Sequence, residues 1–198
     1  EKNRIIEIGA VRIVDGRIRD RFSQFVNPQI PIPFKIQQLT GIGDNMVARA
    51  KTIDIILPHF LRFCEGSVLV GHNVAFDIGF IRANAARLGL PCRFTTVDTL
   101  GIARALQPGH AKYTLDAVAK RLNVSLENHH RAVDDAQCTA EIYLKMLPLL
   151  EDRQVLSLRQ IEDFCIPTPD TIKRLRTHHC ILIAKNTTGR TNLYTMIS

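Results

Sequence analysis

The sequence predicts an α/β fold, a mixed sheet flanked by helices. Three observations predict it: an Asp15-Gly16 pair joins two β-patterned runs, two short apolar runs farther on each lead into a helical segment, and a longer amphipathic segment spans 132 to 147.

The first β run is Ile5 to Val14 and the second is Arg17 to Val26. Asp-Gly between such runs marks a hairpin, because both turn residues must tolerate positive φ. The first run is apolar enough to want a neighbour on each side, so the chain opens in the middle of a sheet. Pro28 to Pro33 reads as an extended connection, followed by a short helix, a break at Gly41 and a new helical turn from Asp44. Ile53, Ile56, Leu57, Phe60, Leu61 and Cys64 recur at helical spacing, with Glu65-Gly66 as the stop. Pro58 predicts a kink there or a later start.

Ser67 to His72 has the length and composition of a buried strand, and a helix follows it to Gly89. Phe94 to Asp98 repeats that pattern and leads into a helix from Thr99 to Leu106. Two more helices are expected, at Leu115 to Leu122 and at Ala132 to Leu147. The last carries Val133, Ala136, Ala140, Tyr143, Leu144 and Leu147 as its apolar stripe. The pattern loosens from Pro148, and Pro167-Thr168-Pro169 marks a linker before a new strand at His179 to Ala184. The domain expectation is 1–150 for the main domain, 151–175 for a linker, and 176–198 for the start of another domain.

With 198 residues, 45% hydrophobic and 23% charged, the chain can hold one domain with a real core. No apolar run approaches the ~20 residues of a membrane span, and the opening residues form no secretory signal. A cytoplasmic protein is expected. The five cysteines are scattered and include no C-x-x-C pair, which argues against a disulfide scaffold or a thiolate zinc site. A formal charge of +7 suits a polyanionic partner such as nucleic acid.

Two stretches carry chemistry. His130-Arg131-Ala132-Val133-Asp134-Asp135 places a histidine just ahead of a helix and an aspartate on its first turn. His72-Asn73-Val74-Ala75-Phe76-Asp77 places another aspartate at the start of a helix that follows a core strand. Phosphodiester hydrolysis needs an activated water and stabilised charge on the attacking and leaving oxygens, which two divalent ions ~3.5–4 Å apart supply. Mg²⁺ or Mn²⁺ asks for hard oxygen ligands, so Asp77 and Asp135 are the expected metal ligands and His130 the expected general base. An acidic residue on a first helical turn is also favoured by the helix dipole alone, by a few tenths to ~1 kcal/mol.

Both stretches resemble a known family. His72-Asn73-x-x-Phe76-Asp77 and His130-x-Ala132-x-x-Asp135 are similar to the second and third motifs of the DnaQ-like, DEDDh-type 3′→5′ exonucleases. Asp98-Thr99-Leu100, Leu115-Asp116-Ala117-Val118-Ala119, Arg4 to Val11 and Leu39-Thr40-Gly41-Ile42 resemble further blocks in the family's order. The resemblance implies a ribonuclease-H-like sheet and two-metal hydrolysis from a 3′ end, with Mg²⁺ or Mn²⁺ as cofactor. It makes Asp77 and Asp135 metal ligands and His130 the general base. Thr40, Gly41, Ile42, His72, Asn73 and Phe76 become substrate contacts, with Phe76 stacking on or wedging against a base. Asp134 is one residue out of register with the motif and is not counted as a ligand. Glu7 lies past the first motif and reads as structural.

One departure stands out. The family's Asp-x-Glu motif, which supplies two further carboxylates, is expected shortly before Glu1. These 198 residues alone are therefore expected to bind Mn²⁺ weakly and to cleave little. Thr177 to Ser198 resembles the segment that follows the exonuclease in bacterial replicative polymerase III α chains, where the exonuclease interrupts a PHP domain. That likeness implies a proofreading role on the single-stranded 3′ end of DNA, with polymerase and PHP domains in the same chain and replisome components as partners. A stand-alone or RNA-directed exonuclease, and a catalytically silent nucleic-acid-binding module, are the alternatives.

Overall fold

The computed structural model describes residues 4–125 and 131–166. His130 and the segment from Pro167 onward, including the expected strand at His179 to Ala184, lie outside the described residues.

The hairpin forms as expected. Strands β1 (Glu7–Val14) and β2 (Arg17–Phe25) pair antiparallel, with Glu7 opposite Phe25 and a register shift between Arg12 and Ile13. The turn uses left-handed backbone at both Asp15 (φ 51°) and Gly16 (φ 70°), the geometry that matches the strands' own twist.

Helices α1 (Phe34–Thr40) and α2 (Asp44–Val47) are separated at Gly41, whose φ of 70° closes α1 and whose N–H donates to Gln37 O. Helix α3 (Ile53–Phe63) begins five residues ahead of Pro58 and runs through it, so the later start expected from that proline does not occur. Proline deprives the Asp54 carbonyl of its helical partner, but Asp54 is exposed and water can serve instead.

Strand β3 (Leu69–Gly71), helix α4 (Val74–Arg87) and strand β4 (Thr96–Asp98) make a parallel crossover unit, Val70 opposite Val97. Both strands are shorter than the apolar runs that announced them. Helices α5 (Thr99–Leu106), α6 (Leu115–Arg121), α7 (Ala132–Glu151) and α8 (Leu158–Phe164) follow.

Helix α7 departs from the expectation in two ways. It continues through Pro148 to Glu151, and its buried residues in the core with α5 and α6 are Cys138, Ile142, Met146 and Leu150, with only Tyr143 of the stripe read from the sequence packed against them. Ala136, Ala140, Tyr143, Leu144 and Leu147 of the expected stripe instead line a cavity. The helix is apolar on two sides because it serves two neighbours. Helix α8 falls in the stretch expected to be linker, and its Ile161 joins the core around Ile102, Val118 and Ile142. A second core packs Ile56, Leu57 and Phe60 of α3 and Ile81 and Ala85 of α4 against Ile8 and Val26. Cys64, Cys92, Cys138 and Cys165 are free thiols, and burial pushes Cys64 and Cys138 up to about 11.

Candidate active site

Asp77 and Asp135 reach the lining of one cavity by two different routes. Asp77 sits in the first turn of α4, just after β3, and Asp135 in the first turn of α7. Both line one cavity of about 1270 Å³, together with Thr40, Ile42, His72 and Phe76. The cavity lies between β1 on one side and β3 on the other, with the second apolar face of α7 along it.

The turn from β3 into α4 is held from several directions. Asn73 adopts left-handed backbone (φ 65°), and its N–H donates to Asp98 Oδ1 at 2.9 Å. The same oxygen accepts from Leu100 N at 2.9 Å and so caps α5. His72 is engaged at both ring nitrogens: Nδ1 is 3.0 Å from Thr99 Oγ1, and Nε2 is 2.7 Å from the Tyr113 carbonyl. Because that carbonyl can only accept, Nε2 carries the hydrogen. These bonds leave no ring nitrogen of His72 over for a nucleotide, so its imidazole shapes the turn that presents Asn73, Phe76 and Asp77.

Burial raises the Asp77 carboxyl above its usual value, a hydrogen bond to backbone partly offsets this, and the negative charge of Asp98 adds to the rise. Asp77 keeps an exposed face, so water damps the effect. Phe76 is 64% exposed and its ring meets Phe80 edge-on at 5.2 Å, so it is not a core residue.

The Thr40-Gly41-Ile42 turn is a different case. Thr40 Oγ1 donates to Ile36 O at 2.8 Å and accepts from Ile42 N at 3.2 Å. The Ile42 side chain is buried with Ile32 and Val47, so any contact it offers a ligand comes mainly from its backbone. Exposed Ile36 and Leu39 beside this turn give the cavity an apolar rim.

Asp77 and Asp135 are the right donor type for a hard divalent ion. Among the described residues no group of three or more His, Cys, Asp or Glu side chains is placed to hold a metal. The described carboxylates therefore suit a metal in chemistry and would supply only part of its shell.

Comparison with known proteins decides the family. The family model described as Exonuclease matches residues 1–143.

The chain belongs to the exonuclease family.

It is 46% identical over its whole length to "DNA polymerase III PolC-type" of Clostridium perfringens, and 44% identical over 98% of its length to the protein of that name from Caldanaerobacter subterraneus subsp. tengcongensis. It spans about 14% of the length of each of these relatives. Among solved structures, "Exonuclease X in complex with 5' overhanging duplex DNA" matches with a TM-score of 0.64 and 28% identity, covering 83% of this chain and 92% of that one. The expected DnaQ-like exonuclease fold and the likeness to the polymerase III exonuclease segment are both borne out.

Several residues of this exonuclease fold that shape the site were not singled out from the sequence. Asp98 was noticed only as part of a family block, yet it ties the α4 and α5 starts together. Arg131 sits between the expected base and the expected ligand, and its partner is Glu7, 124 positions away. A lone Glu on a β-patterned run carries no sequence signal for such a partner. No described helix is long and apolar enough to cross a membrane.

Proposed function

We propose that the protein removes nucleotides from the 3′ end of DNA and does so as the proofreading exonuclease of a PolC-type replicative polymerase. One observation carries this reading: two carboxylates from separate helices share one cavity whose rim bears an exposed aromatic ring. Asp77 and Asp135 would hold the divalent cations, Mg²⁺ or Mn²⁺, which when bound supply charge stabilisation to the attacking and leaving oxygens. His130, one residue before the Arg131 that precedes α7, would accept the proton of the attacking water. Phe76 would stack on the terminal base, and the backbone around Gly41 and Asn73 would position the end of the strand.

The replicative assignment is supported by the extent of the likeness: the family model stops at residue 143, whereas the identity to the PolC-type proteins runs through the whole chain. Residues from about 176 are proposed to enter a PHP domain, with polymerase domains and replisome components as partners.

The test is nucleotide release by the full-length protein from 3′-labelled single-stranded DNA in Mn²⁺, beside the matching RNA. Release of the 3′ nucleotide from DNA is expected, with loss of both cleavage and Mn²⁺ affinity in Asp77→Asn and Asp135→Asn. His130→Ala is expected to cut the rate ~10²–10⁴-fold while leaving Mn²⁺ binding in place. Cleavage from the 5′ end, or preferred degradation of RNA, would overturn the proposal.

A further inference from the structure

The start of α7 is fastened to β1 by a contact that the proposed chemistry does not use. Glu7 Oε1 accepts from Arg131 Nη2 at 3.0 Å and from Nε at 3.2 Å, and Glu7 Oε2 accepts from the Ala132 backbone N–H at 3.0 Å. The side chain of Glu7 is only 4% exposed. The bond to Glu7 also holds the Arg131 guanidinium above its usual value. No side chain of α7's own N-cap residue caps the helix, so Glu7 supplies the cap from the neighbouring strand.

A second observation makes this a seat rather than a single bond. A Cβ at Gly9, two residues along β1 on the same face, would lie 2.2 Å from both Ala132 C and Val133 N. Only glycine lets the helix start come this close. The Arg131 guanidinium also stacks 5.0 Å from the ring of Phe25, the residue opposite Glu7 in the hairpin. The hairpin thus grips Arg131 and Ala132 by a carboxylate, a ring and a glycine gap. Asp135 lies one helical turn beyond this grip, and its N–H donates to Arg131 O at 3.0 Å.

We infer that Glu7 is a positioning residue: together with Gly9 it fixes the register and direction of the α7 start, and so the placement of Asp135. This rests on the proposed function. Its loss should slow the chemical step without weakening the grip on the substrate, because the Phe76 rim belongs to α4.

The experiment is steady-state and single-turnover cleavage of 3′-labelled single-stranded DNA by the full-length protein, with Mn²⁺ titration and amide hydrogen exchange over 131–135. In Glu7→Ala, kcat is expected to fall about 10–100-fold, as for other residues that orient a metal ligand. KM for DNA stays unchanged, Mn²⁺ half-saturation rises, and the Ala132 amide exchanges faster. Glu7→Gln, which still accepts one hydrogen bond, recovers part of the rate. Should the alanine variant fail to fold, Glu7→Gln and Arg131→Gln carry the same comparison. Wild-type kcat in these variants, or a loss confined to KM, overturns the inference. Asp135→Asn separates the two readings. If it cleaves like wild type, the proposed function falls, and the inference falls with it as a statement about catalysis. An inactive Asp135→Asn beside a fully active Glu7→Ala removes the positioning role alone.

Discussion

His72 Nε2 lies 2.7 Å from the backbone carbonyl of Tyr113, 41 positions along the chain, while Nδ1 meets Thr99 Oγ1 at 3.0 Å. One imidazole therefore ties the end of β3 to the α5 start and to the loop before α6. His72→Ala breaks both bonds and leaves a half-buried carbonyl without its donor. Each such bond is worth about 0.5–1.5 kcal/mol net, so a loss of about 1–3 kcal/mol is expected in urea unfolding. The rate of nucleotide release should fall as well, through displacement of the Asp77 turn. A variant as stable as wild type would show that the imidazole is not a structural tie.

Asp77 links the site to pH. Its carboxyl is raised first by burial and then by the charge of Asp98. A raised acid binds its proton more tightly in the folded chain, so its contribution to stability is present below the ordinary carboxylate value and is lost as pH rises through the raised one. At neutral pH and in chelator, Asp77→Asn should therefore melt at a higher temperature than wild type. Protons compete with a metal for the same oxygens, so Mn²⁺ affinity should begin to fall, on acidification, above the ordinary aspartate range. A lower melting temperature for Asp77→Asn in chelator would contradict this account.

The two halves of the site were legible to different degrees. Asp77 and Asp135 announce themselves because each opens a helix inside a distinctive local word, and the fold puts both on one cavity. The hairpin was legible because Asp15-Gly16 leaves the backbone few alternatives. What escaped was every feature made by distant partners. Glu7 reads as structural from the sequence, but nothing local names Arg131, 124 positions later, as its partner. The apolar stripe of α7 was read correctly as apolar, but what covers it was not legible, since periodicity reports that a face is covered and not by what. The face that packs on α5 and α6 uses Cys138 and Met146, residues that count weakly in a hydrophobic pattern. Helix α8 escaped because seven residues hold too few turns to show a period.

Phe76 gives the sharpest division between folding and recognition. A large ring left 64% exposed contributes little to the core, and its edge contact with Phe80 at 5.2 Å is worth about 0.5–1.5 kcal/mol at most. Stacking on a nucleobase is worth about 1–3 kcal/mol, which corresponds to roughly 5- to 150-fold in affinity. Phe76→Ala should therefore raise KM for single-stranded DNA within that range, with a much smaller change in kcat. Its unfolding free energy should shift by less than that of His72→Ala. Phe76→Tyr keeps the ring face and should bind almost as wild type. An alanine variant that unfolds readily while keeping its KM would assign the ring to packing, and the substrate's base would then have to be held by the turn around Gly41 instead.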